Sequence, residues 1–110
     1  MSGEPGVAVI AVIYRWRLKS GMEAQFIEAW SRITELYVTY RGGLGSRLHK
    51  GPEGIWYAYA QWPSAEVRRA AFEGPPLDEA ARDRMREAIA ESFDEIVLEP
   101  VADHLVLKGK

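Results

Sequence analysis

The residues with the clearest chemical potential lie in one run, Ile55-Trp56-Tyr57-Ala58-Tyr59-Ala60-Gln61-Trp62, where four large aromatic rings fall within seven positions. Successive side chains of an extended segment point to opposite faces, so Tyr57 and Tyr59 share one face while Trp56, Ala58, Ala60 and Trp62 share the other. Trp62 is either a core anchor for the helix that begins after it or the wall of a pocket. Ala58 and Ala60, small among large neighbours, either admit a close helix or leave room for a flat ligand between Trp56 and Trp62, since deep pockets are mostly apolar with few polar groups. Tyr57 and Tyr59, each with an apolar body and a polar tip, suit a partly wet subunit seam. Tyr14 shares a face with Val12 and Trp16 and is a candidate donor to a substrate oxygen; Tyr37 and Phe72 are candidate pocket walls, and Tyr40 could reach its mouth. His49 and His104 are the side chains expected to titrate near neutral pH. His49 is the candidate general base for a phenolic proton, the alternative being a surface or hydrogen-bonded histidine. Arg15, Arg17 and Arg47 either hold an anionic substrate or are simply solvated.

The chain excludes several other chemistries. It has no cysteine, which removes disulfides, thiolate metal sites and cysteine nucleophiles. Two histidines are too few for a convincing metal cluster, so no metal is expected. The 14 basic and 16 acidic side chains are interspersed, giving a net charge of -2 without a basic stripe, so nucleic acid is not an expected partner. No apolar run reaches the length of a membrane span. Residues 1–6 carry an acidic residue and two glycines where a signal peptide would show lysine or arginine, and are expected to form a flexible lead to a single domain over 7–110. A cytoplasmic location is expected by default.

Positioning these side chains requires a framework. Val7 to Leu18 is β-branched, aromatic and apolar on both faces, which predicts a strand covered on both sides. Ser20-Gly21-Met22-Glu23 has the form of a capping box, and Met22, Phe26, Trp30, Ile33, Tyr37 and Tyr40 come next at helical spacing until Arg41-Gly42-Gly43. Leu44–Lys50 and Ile55–Trp62 predict an antiparallel hairpin about a Gly51–Gly54 turn. Ser64 caps a helix that ends near Phe72, before Gly74-Pro75-Pro76. Asp78 caps a longer one whose inner stripe is Ala81, Met85, Ile89, Phe93 and Ile96. Beyond Pro100, Val101–Leu107 predicts a last strand. The order β-α-β-β-α-α-β with right-handed crossovers gives a ferredoxin-like four-stranded antiparallel sheet with helices on one face. The first and third strands are greasy on both faces, so something must cover the open side, and a second copy of the chain is the economical answer.

The segments Gly43-Leu44-Gly45-Ser46-Arg47-Leu48 and Tyr59-Ala60-Gln61-Trp62-Pro63-Ser64-Ala65-Glu66, within a layout spanning about residues 7–107, resemble the antibiotic-biosynthesis monooxygenase family of dimeric α+β barrels. The resemblance implies a homodimer whose sheets close into a barrel, with a pocket between sheet and helices in each subunit. It implies cofactor-free oxygenation of an aromatic or enolisable small molecule, in which the substrate gives up a proton and its anion reacts with dioxygen. The family's oxygenases and heme degraders use a sheet asparagine, and this chain contains none; heme degraders place a histidine on the helix after the third strand, where this chain reads Arg69-Ala70-Ala71-Phe72-Glu73-Gly74. Only the tryptophan, Trp62, has a match. A non-catalytic ligand-binding or regulatory dimer, and an isomerase or other proton-transfer enzyme, remain alternatives on the same scaffold.

Overall fold

A computed structural model describes residues 9–105. The elements are β1 (Ile10–Leu18), α1 (Glu23–Tyr40), β2 (Ser46–Lys50), β3 (Ile55–Trp62), α2 (Ala65–Glu73), α3 (Glu79–Glu87), β4 (Ile89–Ser92) and β5 (Ile96–Leu98). All strand pairs are antiparallel, in the order β2-β3-β1-β4 with β5 also on β1. β4 pairs with the end of β1 at Trp16–Leu18 and β5 with its start at Ala11–Ile13. Together they occupy the one edge position that a single fourth strand was expected to fill, so the ferredoxin-like order is kept with five strands.

One sheet face packs on the helices. Val12 and Trp16 of β1 and Ala58, Ala60 and Trp62 of β3 are buried there with Phe26 of α1, Ala71 of α2 and Ala88. The period-2 alternation of both strands places the alternate set outward: Ala11, Ile13, Arg15 and Arg17 on β1, Tyr57, Tyr59 and Gln61 on β3. In register, Ile13 lies between Tyr59 and Ile96, and Ala11 between Gln61 and Leu98.

The caps at Ser64 and Asp78 form as expected: Ser64 Oγ accepts from the Val67 amide at 3.1 Å, and an Asp78 carboxylate oxygen accepts from the Ala81 amide at 3.0 Å. Asp78 also pairs with Arg32 at 3.0 Å, and the Ala81 amide and then Arg32 hold its carboxyl below its ordinary range.

Three expectations fail for physical reasons. The capping box at Ser20 does not form. Gly21 takes a left-handed φ of 83°, the Met22 amide donates back to Lys19 at 3.1 Å, and Met22, without a side-chain cap, becomes the residue before the helix. The helix after Asp78 stops at Glu87 instead of running to Ile96. Ala88 turns the chain by giving its carbonyl to the Lys19 amide at 2.8 Å, and the β-branched residues beyond it pair with the open edge of β1. Tertiary pairing overrides a helical spacing here. Finally, Val101–Leu105 belongs to no strand, because β4 and β5 already hold that edge; Val106 and Leu107, and the lead over 1–6, lie outside the described residues.

Candidate functional site

A cavity of about 220 Å³ lies between the inner sheet face and the helices. Tyr14, Trp16, Ala60 and Trp62 form its sheet wall; Trp30, Ile33, Thr34 and Tyr37 come from α1, Phe72 from α2 and Met85 from α3; Gly43, Gly45 and Ser46 border it from the loop entering β2. The space exists because Ala60 and its cross-strand partner Ser46 are both small beside the Trp62 indole. The loop also comes close to the indole: a Cβ at Gly43 would sit 3.5 Å from Trp62.

Aromatic packing fixes the walls. Trp62 meets Tyr37 and Phe72 edge-on, with centroids 6.0 and 5.6 Å apart, and those two rings lie 5.3 Å from each other. On the other side Tyr14 stacks on Trp16 at 6.1 Å and 11°. Such a box suits a flat apolar ligand.

The polar groups of the lining are few and uncharged. Tyr14 Oη accepts a hydrogen bond from Arg68 Nε at 3.2 Å, and Arg68 Nη2 pairs with Glu95 at 2.5 Å. The Trp62 N–H is buried, inclined towards Tyr14 Oη, yet without a hydrogen-bond partner. An orphaned buried donor costs about 1–3 kcal/mol, and the oxygen this one faces is Tyr14 Oη. Burial pushes the Tyr14 phenol above its ordinary range, outweighing the nearby Arg68; burial likewise raises Tyr37, against Arg41. Both therefore stay neutral phenols at physiological pH. No carboxylate or imidazole lines the cavity among the described residues, and no group of three metal-ligating side chains occurs among them. No helix among them is long and apolar enough to cross a membrane.

Of the residues singled out from the sequence, Tyr14, Tyr37, Trp62 and Phe72 come together around the cavity. Trp56 shares their sheet face but lies opposite Trp16 and packs in the neighbouring cluster, away from the cavity wall. His49 is paired with Tyr57 on β2–β3 and is exposed. It points to the face opposite the cavity because its neighbour Leu48 points inward, so the side chain offered as base does not reach the site. Arg15, Arg17 and Arg47 take the same outward parity, as do Tyr57 and Tyr59. Tyr40 is exposed. Sequence reasoning missed Arg68 and Glu95. A signal for Arg68 was present: it precedes Ala71 and Phe72 by three and four positions, so it lies on their stripe of α2.

Comparison with solved structures agrees on the fold. A protein of Bordetella bronchiseptica provisionally named an antibiotic biosynthesis monooxygenase superposes with a TM-score of 0.74 at 20% identity, over 87% of this chain and 100% of that one. A similarly named protein of Chloroflexus aurantiacus gives 0.69 at 20% identity, over 88% and 97%. SnoaB, a cofactor-independent oxygenase of Streptomyces nogalater, gives 0.68 at 13% identity, over 93% and 99%. No family model matches the sequence, and no curated protein does. The chain has the ferredoxin-like α+β fold seen in proteins named antibiotic biosynthesis monooxygenases.

Proposed function

We propose that this chain is a cofactor-independent oxygenase of a small, flat phenol or enolisable ketone, acting as a homodimer. The observation that carries the reading is the cavity itself: aromatic walls around a space lined by Tyr14, whose hydroxyl can donate to a ligand oxygen while the Trp62 N–H is inclined towards the oxygen of that hydroxyl. A site of this make-up holds an aromatic anion better than its neutral parent, the electrostatic condition for forming the anion that dioxygen attacks. With no base on the wall, the substrate proton passes to solvent water. The carbanion then forms a C–O bond to dioxygen, the peroxide oxygen takes up a proton, and loss of water across the C–H and O–O bonds leaves a carbonyl. A cavity of about 150 Å³ accepts benzene, so about 220 Å³ suits a two-ring substrate. Phe26 is buried in the adjacent cluster and Trp30 and Phe72 stand at the wall, so the space is not closed by the side chains that a purely structural role would have put there. The solved structure of similar fold named as a cofactor-independent oxygenase supports the same reading.

Oxygen consumption by the metal-free protein with a panel of naphthols, quinols and anthrones tests it. Uptake is expected, and Trp62→Phe, which keeps a ring and removes the N–H, is expected to slow it by about 10- to 100-fold. No uptake across the panel, or uptake indifferent to Trp62→Phe, would defeat the proposal.

The dimer rests on the outward sheet face. Ile13, Tyr57, Tyr59, Ile96 and Leu98 share it, and Ile96 and Leu98 are 42% and 43% exposed in the single chain. Covering such a face with its twin removes apolar area from water at about 25 cal/mol per Å². Sedimentation at micromolar concentration should give a dimer, and Ile13→Glu, a charge set between Tyr59 and Ile96, a monomer. A monomeric wild type would end this part of the reading.

A further inference from the structure

Beside Tyr14 stands a pair of charged residues that do not line the cavity. Arg68 from α2 and Glu95 from the turn between β4 and β5 come together at 2.5 Å, with the Arg68 side chain only 16% exposed. The guanidinium carbon lies 5.7 Å from the Tyr14 ring centroid and 5.3 Å from that of Phe72. Its Nε donates to Tyr14 Oη at 3.2 Å.

The direction of that hydrogen bond is forced. Arginine has donors and no acceptor, and indole has one donor and no acceptor. The two polar neighbours of Tyr14 Oη, Arg68 and the N–H of Trp62, can therefore only give hydrogens to it. Neither neighbour takes up the hydroxyl's own hydrogen, and because Tyr14 lines the cavity that hydrogen is free to be given to a ligand oxygen there. A donor polarised by a cation through its own oxygen is a stronger donor. A lone arginine on a helix would extend its head into water; the Glu95 carboxylate keeps it against Tyr14.

We propose that Glu95 and Arg68 are positioning residues that orient and strengthen the Tyr14 hydroxyl as the donor to an oxyanion bound in the cavity. This rests on the reading of the cavity as a site for a phenol or enol anion, and it adds a specific chain, Glu95 to Arg68 to Tyr14 to ligand oxygen, in which only the last protein group touches the ligand. The Tyr14 phenol, kept neutral by burial, has its hydrogen available for that role across the physiological range.

The test reads ionisation, not turnover. 4-Nitrophenol, whose anion is coloured, is titrated with pH free and bound to the full-length protein. In the wild type the bound probe is expected to ionise about one pH unit lower than in water. Tyr14→Phe should return the bound probe close to its free value, and Arg68→Met and Glu95→Gln should each recover at least half of the shift. Glu95 is 43% exposed on its side chain, so Glu95→Gln leaves the core untouched. The decisive comparison is Glu95→Gln made in the Tyr14→Phe background, where it should change nothing further, because the chain ends at the missing hydroxyl. An effect of Glu95→Gln as large without Tyr14 as with it overturns the relay, as does no effect in either background, or a wild type that fails to take up or shift the probe at millimolar concentration. Oxygen plays no part in this titration, so a protein that consumes no oxygen can still show the coupling, and one that consumes it can still lack the coupling.

Discussion

Tyr14→Phe should lower kcat on a phenolic substrate by about 10²- to 10³-fold while leaving KM within a few-fold of wild type, measured as oxygen uptake at saturating and limiting substrate. The magnitude is that of removing one preorganised donor from a developing oxyanion, and the split between kcat and KM follows from where the charge is. Under the proposed function the neutral substrate would be held chiefly by ring contacts from Trp62, Tyr37 and Phe72, which line the cavity and which the substitution leaves alone. The anion needs the hydroxyl. Phenylalanine keeps the stack on Trp16, so a loss confined to KM would place Tyr14 among the binding surfaces and not the anion-stabilising groups. The pH dependence has a definite sign. Burial raises the Tyr14 phenol and only partly yields to Arg68; the donor is thus present throughout the neutral range and is lost only as pH rises through the raised value, above the ordinary phenol value of about 10. Stability follows the same direction. The contribution of a buried neutral phenol is complete below the unfolded value and disappears on the alkaline side as the folded value is passed.

Much of this arrangement was readable from the residues because it is local. The alternation of Trp56, Ala58, Ala60 and Trp62 against Tyr57 and Tyr59 is a property of any extended chain, and so the division between inner and outer aromatics followed from spacing alone. Ser64 and Asp78 cap helices through amides three residues on, within their own segment. Ser20 had the same local form and failed because Gly21 released the chain into a turn that no pattern of side chains specifies. The misreading of Ile89 to Ile96 has a different cause. Apolar residues every third or fourth place fit a helix, but Ile89, Ile96 and Val97 are β-branched and found an unpaired strand edge at β1, a long-range partner invisible to a local window. The site divides in the same way. That Tyr14 and Trp62 share a cavity follows once the helices are known to cover their face, and the same fact sends His49 to the other side. The pairing of Arg68 with Tyr14, 54 positions apart, depends on the rotation of α2 over β1, which the sequence constrains only through the neighbouring Ala71 and Phe72.

Phe26→Ala should destabilise the fold by about 3–5 kcal/mol, read from urea unfolding, the range found for deleting a buried aromatic ring. Phe26 has no exposed surface and sits in a cluster with Trp16, Ala58 and Ala88, its ring edge-on to Trp16 at 5.0 Å and 62°. Met22, Met85 and Leu48 pack against the same cluster, and how far they move in to refill the space sets where in that range the cost falls. For a domain whose total stability is about 5–15 kcal/mol, the variant will fold marginally if at all. Phe26→Leu provides the folded comparison, with a cost of about 1.5 kcal/mol or less if the cluster repacks. Phe26 does not line the cavity, yet Trp16, against which it packs, does, and Trp16 in turn stacks on Tyr14. A void behind Trp16 frees that indole to retreat from the wall, so Phe26→Leu is expected to weaken 4-nitrophenol binding several-fold at a temperature where the protein remains fully folded. Unchanged binding together with a loss of stability would show that Trp16 is fixed by the sheet alone. A stability loss below about 1 kcal/mol for Phe26→Ala would mean that the cluster is not the closed core on which the position of Tyr14 depends.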